Sequence, residues 1–186
     1  VCREGKGESI WTSMQFGTVL PMIAELARLM GEDDSRFLKI YDEQKKLVNE
    51  IAWDGEWYRR CITDEGRFIG SKAEPQAKIW LNTQSWSVIS GMGDNAETAM
   101  DSVNRLLDTE LGIKKIDPSM KDYPSKEDPL TYYNKGCGEN GSVFCHANTW
   151  AIIAECMLGH KERAYKYYHQ LLPMIAQKKA GEWRYK

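Results

Sequence analysis

No cysteine in this chain stands in a CxxC pair, and the five present, at positions 2, 61, 137, 145 and 156, make an odd total. That usage excludes a disulfide framework and fits a reduced, cytoplasmic protein. Cys137, Cys145 and His146 match no zinc spacing and have no evident fourth ligand, so no metal is expected. A run of apolar residues long enough to cross a bilayer is missing, as is a signal peptide, which argues against a membrane partner. Basic excess is missing too. Lys and Arg number 25 against 27 Asp and Glu, a formal charge of -2, which provides no field for nucleic acid. Convincing long strands are absent, so helices have to build the fold. The 186 residues fit one domain of ordinary size with a real core.

Aromatic residues, by contrast, are plentiful: seven Trp and nine Tyr. Such an excess means either stacking on sugar rings or bases, or aromatic packing between helices. Apolar residues recur at helical spacing over residues 8–30, among them Ile10, Met14, Leu20, Ile23 and Met30. Pro21 is expected to bend or split this helix. Asp34 or Ser35 can cap a second helix, with Phe37, Leu38, Ile40, Tyr41, Leu47, Val48 and Ile51 as its buried stripe and its Lys/Glu run facing water. Further helices are predicted over 82–90, 96–107, 146–158 and 161–177, with Pro173 bending or ending the last. Gly31, Gly91 and Gly159 each supply a stop. Residues 112–141, with three prolines, read as an extended irregular crossing, of a length that is usually either functional or disordered. Six helices in consecutive pairs predict an all-α fold, about half of a double-layered ring of twelve. Half a ring leaves its flanks unsealed, which predicts further polypeptide.

Two stretches break the helical period. Residues 53–72, WDGEWYRRCITDEGRFIGSK, carry Asp-Gly and Glu-Gly turn signals and predict a long connection with a small hairpin. Its charges include Asp54 and Glu56, which a hydrolase could use as a carboxylate pair, and Arg59 and Arg60, which are expected to tie the loop down through a neighbouring carboxylate. Residues 132–150, YYNKGCGENGSVFCHANTW, combine four aromatics, three glycines, three asparagines, Glu139, His146 and two thiols just as an apolar helix opens. Glycines allow close approach of a ligand, and Glu139, Asn140 and His146 offer converging polar groups. An imidazole in the first turn, beside unpaired backbone amides and the positive end of the helix dipole, would make a phosphate seat. A hydrogen-bonded loop with a capping histidine fits the same residues equally well.

Taken in order, GKGESIW (residues 5–11), WDGEWYRR (53–60), LNTQSW (81–86) and YNKGCGENGSVFCHANTW (133–150) closely resemble the inverting cellobiose, cellodextrin and chitobiose phosphorylases, whose catalytic domain is an (α/α)6 barrel. The motifs span nearly the whole chain. The resemblance implies that residues 1–186 are part of that single domain, its C-terminal half, truncated at both ends. It also implies cleavage of a β-linked gluco-oligosaccharide by inorganic phosphate, giving an α-sugar 1-phosphate with inversion. Phosphate is then a substrate, and no cofactor is required. The implied partners are the oligosaccharide, phosphate and the remainder of the polypeptide, with homodimers common in the family.

The family's general acid is an aspartate in a D-W-N-D-G motif, expected just upstream of Val1, so no catalytic acid is expected here and this piece alone is expected to be inactive. By position, His146 matches the phosphate-binding histidine, Glu139 a carboxylate on donor-sugar hydroxyls, and Tyr133 an aromatic on the acceptor side; Asn140 is a further sugar-site candidate. Many relatives carry Lys before that glutamate, where this chain has Gly138. Trp53, Asp54 and Glu56 are then expected as pocket wall or loop support, and Gln84 beneath the pocket. A phosphorylase-like module of a cyclic β-glucan synthase, or a carbohydrate-binding helical module without chemistry, would use the same framework.

Overall fold

A computed structural model describes residues 3–120 and 133–180. Val1, Cys2 and Tyr132 lie outside them. Seven α-helices are present among the described residues: α1 (Ile10–Leu29), α2 (Ser35–Leu47), α3 (Leu81–Ile89), α4 (Ala96–Leu106), α5 (Cys145–Met157), α6 (Lys161–Leu171) and α7 (Pro173–Ala180). A π-helical turn over Val48–Ala52 extends α2. The helix α3 lies between α1 and α5, and α2, α4 and α6 back α1, α3 and α5 in turn. Three odd-numbered helices thus form an inner row, each supported by its successor in the chain.

Small residues bring the inner row together. On α5, Ala147, Ala151 and Ala154 recur at spacings of four and three and are buried against α3, whose Thr83, Ser85 and Ser87 are equally buried. On α1, a Cβ at Gly17 would fall 2.2 Å from the Met92 sulfur, so this glycine allows the 90s loop to close on the helix. One core cluster joins Leu81, Val88, Met100, Val103, Leu107 and Ile113 to the α5 alanines. A second joins Ile10, Met14, Val48, Tyr58 and Met92.

The expectation of an all-α fold with one small hairpin holds for the helices but not in full: among the described residues seven two-residue strands form three small sheets. Strands β1 (Glu8–Ser9), β2 (Cys61–Ile62) and β3 (Phe68–Ile69) make an antiparallel sheet, β4 (Ile79–Trp80) pairs with β7 (Ile116–Asp117), and β5 (Asp108–Thr109) with β6 (Gly112–Ile113). The β2–β3 hairpin is the one expected in the 53–72 connection. The start of the 112–141 crossing is not irregular: its β7 strand runs beside the entry to α3. Two-residue strands leave no alternation to read in a sequence.

The glycine stops are in place, with Gly31, Gly91 and Gly159 at φ +77, +68 and +79. Pro21 does not split α1. It is exposed, while Leu20 and Ala24 on either side are buried and hold both halves to the core. Pro173 ends α6 and opens α7, as a residue without an N–H should. The apolar stripe of α2 and its π-helical extension is less covered than its period suggests: Leu38, Ile40, Leu47 and Ile51 are exposed, as are Phe16, Ile23 and Leu26 of α1 and Met30 just after it. Between these two helices lies a groove of about 400 Å³, lined by Ile23, Leu26, Met30 and Phe37. Among the described residues no helix is long and apolar enough to cross a membrane.

Candidate functional site

The 133–144 loop winds around Asn140. Its Nδ2 donates to the carbonyls of Met120 and Tyr133 at 2.8 and 2.9 Å, and its Oδ1 accepts from the Met120 N–H at 2.7 Å. Backbone bonds from Gly136 N–H to the Asn140 carbonyl and from Asn140 N–H to the Cys137 carbonyl, both 2.9 Å, close the turn. Asn140 is fully buried, so its amide anchors the loop and does not face a ligand. The sequence expectation of a sugar contact there is replaced by this structural role, because three bonds to backbone use the amide.

Gly138 and Tyr133 explain the loop's shape on its exposed side. At φ +51, Gly138 is in the left-handed region, and a Cβ there would meet the Tyr133 ring at 2.7 Å. Tyr133 itself is 46% exposed and lies over this glycine. A longer side chain at this point would need the space that the ring occupies.

Glu139 projects between Gly138 and Asn140. Its Oε2 is ion-paired with the ammonium of Lys115, whose side chain is 9% exposed against 34% for the glutamate. The same ammonium stands 4.6 Å from the centre of the Phe144 ring. Sequence reading missed Lys115. Its one signal was a cation flanked by Ile113 and Ile116, in a segment where a lysine needs a partner to be buried.

Phe144 leads into α5. Asn148 fixes that first turn by donating to the Phe144 and Ile113 carbonyls at 3.0 and 2.9 Å and accepting from the Ile113 N–H at 2.8 Å. His146 is the second residue of the helix and is exposed. No side chain caps this helix, so its leading amides remain free of a side-chain acceptor. The imidazole lies 4.3 Å from the Trp150 ring. Trp150 in turn touches Trp86 of α3 and Trp11 of α1, at 5.4 and 5.8 Å. Three tryptophans from the three inner helices thus converge beneath the histidine. Arg60 lies over Trp11 at 5.0 Å and Trp80 at 5.6 Å. The aromatic excess in the sequence serves packing between helices here.

Tyr133 and His146 are exposed and Glu139 is half-buried; Lys115 and Phe144 link the glutamate to the histidine, the Phe144 ring being 6.5 Å from that of His146. The 53–72 carboxylates are engaged elsewhere. Asp54 accepts from Arg59 at 2.6 Å, the Ser71 hydroxyl at 3.1 Å and the Lys72 N–H at 2.6 Å, which is the tie-down expected of this loop. Glu56 pairs with Lys72 at 2.9 Å and with Arg105. These cations hold its carboxyl below the usual range, the reverse of what a proton donor needs. Trp53 packs against Tyr58, with tilted rings 5.0 Å apart. Gln84 is fully buried and bonds the Tyr58 N–H and carbonyl and the Trp80 carbonyl at 2.8, 2.9 and 2.9 Å. These four residues support the loop and the start of α3.

At the other end of α5, Glu155 is fully buried, ion-paired with His160 at 2.7 Å and with Arg163 at 2.8 Å. Burial raises its carboxyl above the ordinary glutamate range against the pull of His160 and Arg163. Burial also pushes the Tyr167 phenol far up. Nine residues of helix, about 13 Å, separate Glu155 from His146. This network joins α5 to α6 and is structural.

Comparison with known proteins gives a family model, the glycosyl hydrolase 94 superfamily catalytic domain, that matches residues 1–185. The chain is 36% identical over 174 residues to solabiose phosphorylase of Paenibacillus borealis, covering 91% of this chain and 23% of the relative. It is 32% identical over 177 residues to N,N'-diacetylchitobiose phosphorylase of Vibrio proteolyticus, covering 91% and 22%. With the cyclic beta-(1,2)-glucan synthase NdvB of Rhizobium meliloti it shares 29% identity over 180 residues, covering 91% and 6%. The chain thus spans less than a quarter of the length of these relatives.

Proposed function

The chain belongs to the glycosyl hydrolase 94 superfamily by its catalytic domain, and we propose on that premise that it is part of an inverting glycoside phosphorylase. The enzyme cleaves a β-linked gluco-oligosaccharide with inorganic phosphate and releases an α-sugar 1-phosphate. The inner row and its backing helices are taken as part of one (α/α)6 barrel. The reading places the protein in the cytoplasm, consistent with free thiols at Cys61, Cys137, Cys145 and Cys156.

One observation carries the mechanism. An exposed imidazole stands in the first turn of a thirteen-residue helix with no capping side chain, one loop away from a part-exposed carboxylate. Helix amides and imidazole together suit an oxyanion, and Glu139 suits sugar hydroxyls. Phosphate held at His146 would attack the anomeric carbon on the face opposite the leaving oxygen. Phosphate brings its own negative charge, so no base is needed to activate water. The proton for the leaving oxygen is assigned to the D-W-N-D-G aspartate that the family resemblance implies; within the 53–72 connection Asp54 and Glu56 are bound up in ion pairs.

The test is phosphate-dependent release of α-sugar 1-phosphate by the full-length protein from β-1,2-, β-1,3- and β-1,4-linked disaccharides. Hydrolysis to free sugars, indifferent to phosphate, would overturn the reading. The similarity to the glucan synthase favours a second reading, a chain-trimming phosphorylase module of a larger synthase. Phosphorolysis of β-1,2-glucan chains in preference to disaccharides would select it.

A further inference from the structure

Lys115 is held by its backbone between two parts of the site. Its N–H donates to the Ser142 carbonyl at 2.9 Å, and its carbonyl accepts from the N–H of Leu81, the first residue of α3, at 2.9 Å. The side chain runs inward, where an ammonium is costly unless it is paired. It meets Oε2 of Glu139 and the face of Phe144, 4.6 Å from the ring centre. The ammonium is thus the deeper of the two groups and the carboxylate the more exposed, at 9% and 34%. Oε2 is engaged by the lysine, and Oε1 of this part-exposed carboxylate remains as an acceptor.

Glu139 stands on a loop between Gly138 and Gly141, both in the left-handed region. A carboxylate on such a loop has several rotamers, and each has to be given up when a sugar binds. A fixed cation behind it selects one rotamer in advance.

We propose that Lys115 is the positioning residue of the sugar pocket: it holds the Glu139 carboxylate in the orientation that accepts sugar hydroxyls, without touching the sugar itself. The inference rests on the phosphorylase reading of Glu139. It explains why a lysine is buried beside a loop that otherwise needs none, and why its backbone is fastened on both sides.

The experiment uses the full-length enzyme and whichever of the β-linked disaccharides the wild type phosphorolyses fastest. Lys115→Met is expected to raise the KM for that disaccharide on the order of tenfold, the scale of one lost charge-assisted hydrogen bond. The KM for phosphate should stay within about twofold. Lys115→Arg should recover most of the loss. Combined with Glu139→Gln, Lys115→Met should add nothing to the effect of Glu139→Gln alone, because the two act through one contact. If Lys115→Met does not fold, Lys115→Gln takes its place with the same expectation. An unchanged disaccharide KM, equal rises in both KM values, or losses that multiply in the double variant would overturn the assignment while leaving phosphorolysis intact. A wild type that releases no sugar 1-phosphate overturns the phosphorylase reading and this inference with it.

Discussion

The Tyr133 ring lies so close over Gly138 that a Cβ on the glycine would fall 2.7 Å from its Cδ1. Position 138 therefore accepts a side chain only if the tyrosine leaves. Gly138→Ala is expected to lower the stability of the loop by roughly 1–3 kcal/mol, from the left-handed backbone and the contact together. Gly138→Lys should not lower the KM for sugar, although it adds an ammonium. Combining it with Tyr133→Ala should recover the part of the melting-temperature loss that comes from the ring contact, and leave the part that comes from the left-handed backbone. Thermal unfolding of the full-length variants checks both; a Gly138→Lys protein of unchanged melting temperature would contradict this packing.

His146 combines two features, a tilted ring contact with Trp150 and an exposed imidazole. They are separable. His146→Phe keeps an aromatic face against Trp150 and removes the nitrogens, whereas His146→Ala removes both. Each is expected to raise the KM for phosphate about tenfold or more, with the sugar KM changed by less than about threefold. Steady-state kinetics with each substrate varied in turn checks this. A phosphate defect in His146→Ala that His146→Phe fully repairs would mean that the histidine acts through packing alone.

Asp54 is bonded to Arg59, Ser71 and the Lys72 N–H, and Gln84 to the backbone of Tyr58 and Trp80. Gln84→Leu leaves the N–H and carbonyl of Tyr58 without their partner, and each buried orphan costs about 1–3 kcal/mol. Asp54→Asn weakens the Arg59 pair and its bonds to residues 71 and 72. Both variants are expected to unfold at lower temperature yet to keep both KM values wherever they remain folded. A selective loss of kcat in Asp54→Asn, with unchanged melting temperature, would return that carboxylate to the chemistry.

The helices were legible because their period and their stops are local. Apolar residues at spacings of three and four, ended by Gly31, Gly91 and Gly159, place α1 to α6 within one or two residues of their observed bounds, apart from the π-helical turn after Leu47 and the break at Leu172. Periodicity identifies an apolar face but not what covers it, so the exposure of Leu38, Ile40 and Ile51 could not be read. The region around His146 and Glu139 was legible from its mixture of glycine, aromatic and charged residues. Lys115 was not, since its burial depends on a carboxylate 24 positions later. Asn140 was misread for a related reason: a polar residue in a glycine loop has the same appearance whether it meets a ligand or a backbone carbonyl.

The Glu155 network provides a pH signature for the α5–α6 contact. Burial raises the folded-state carboxyl above its ordinary value of 4.5, so the native protein binds this proton more tightly than the unfolded chain does. The contribution to stability is then complete below about pH 4.5 and is lost as pH rises through the folded-state value. Glu155→Gln removes this titration. The stability of the wild type relative to Glu155→Gln should accordingly fall as pH rises from 4.5, by at most about 1.4 kcal/mol per pH unit for one proton. Any constant offset from leaving Arg163 to Asp101 alone, at 2.7 Å, does not alter that slope. Melting temperatures of the two proteins measured side by side from pH 4.5 to 6 check the sign. A difference that grows in favour of the wild type with rising pH would mean that the attraction of Arg163 and His160 outweighs burial, and that Glu155 is an ordinary ion-pair partner.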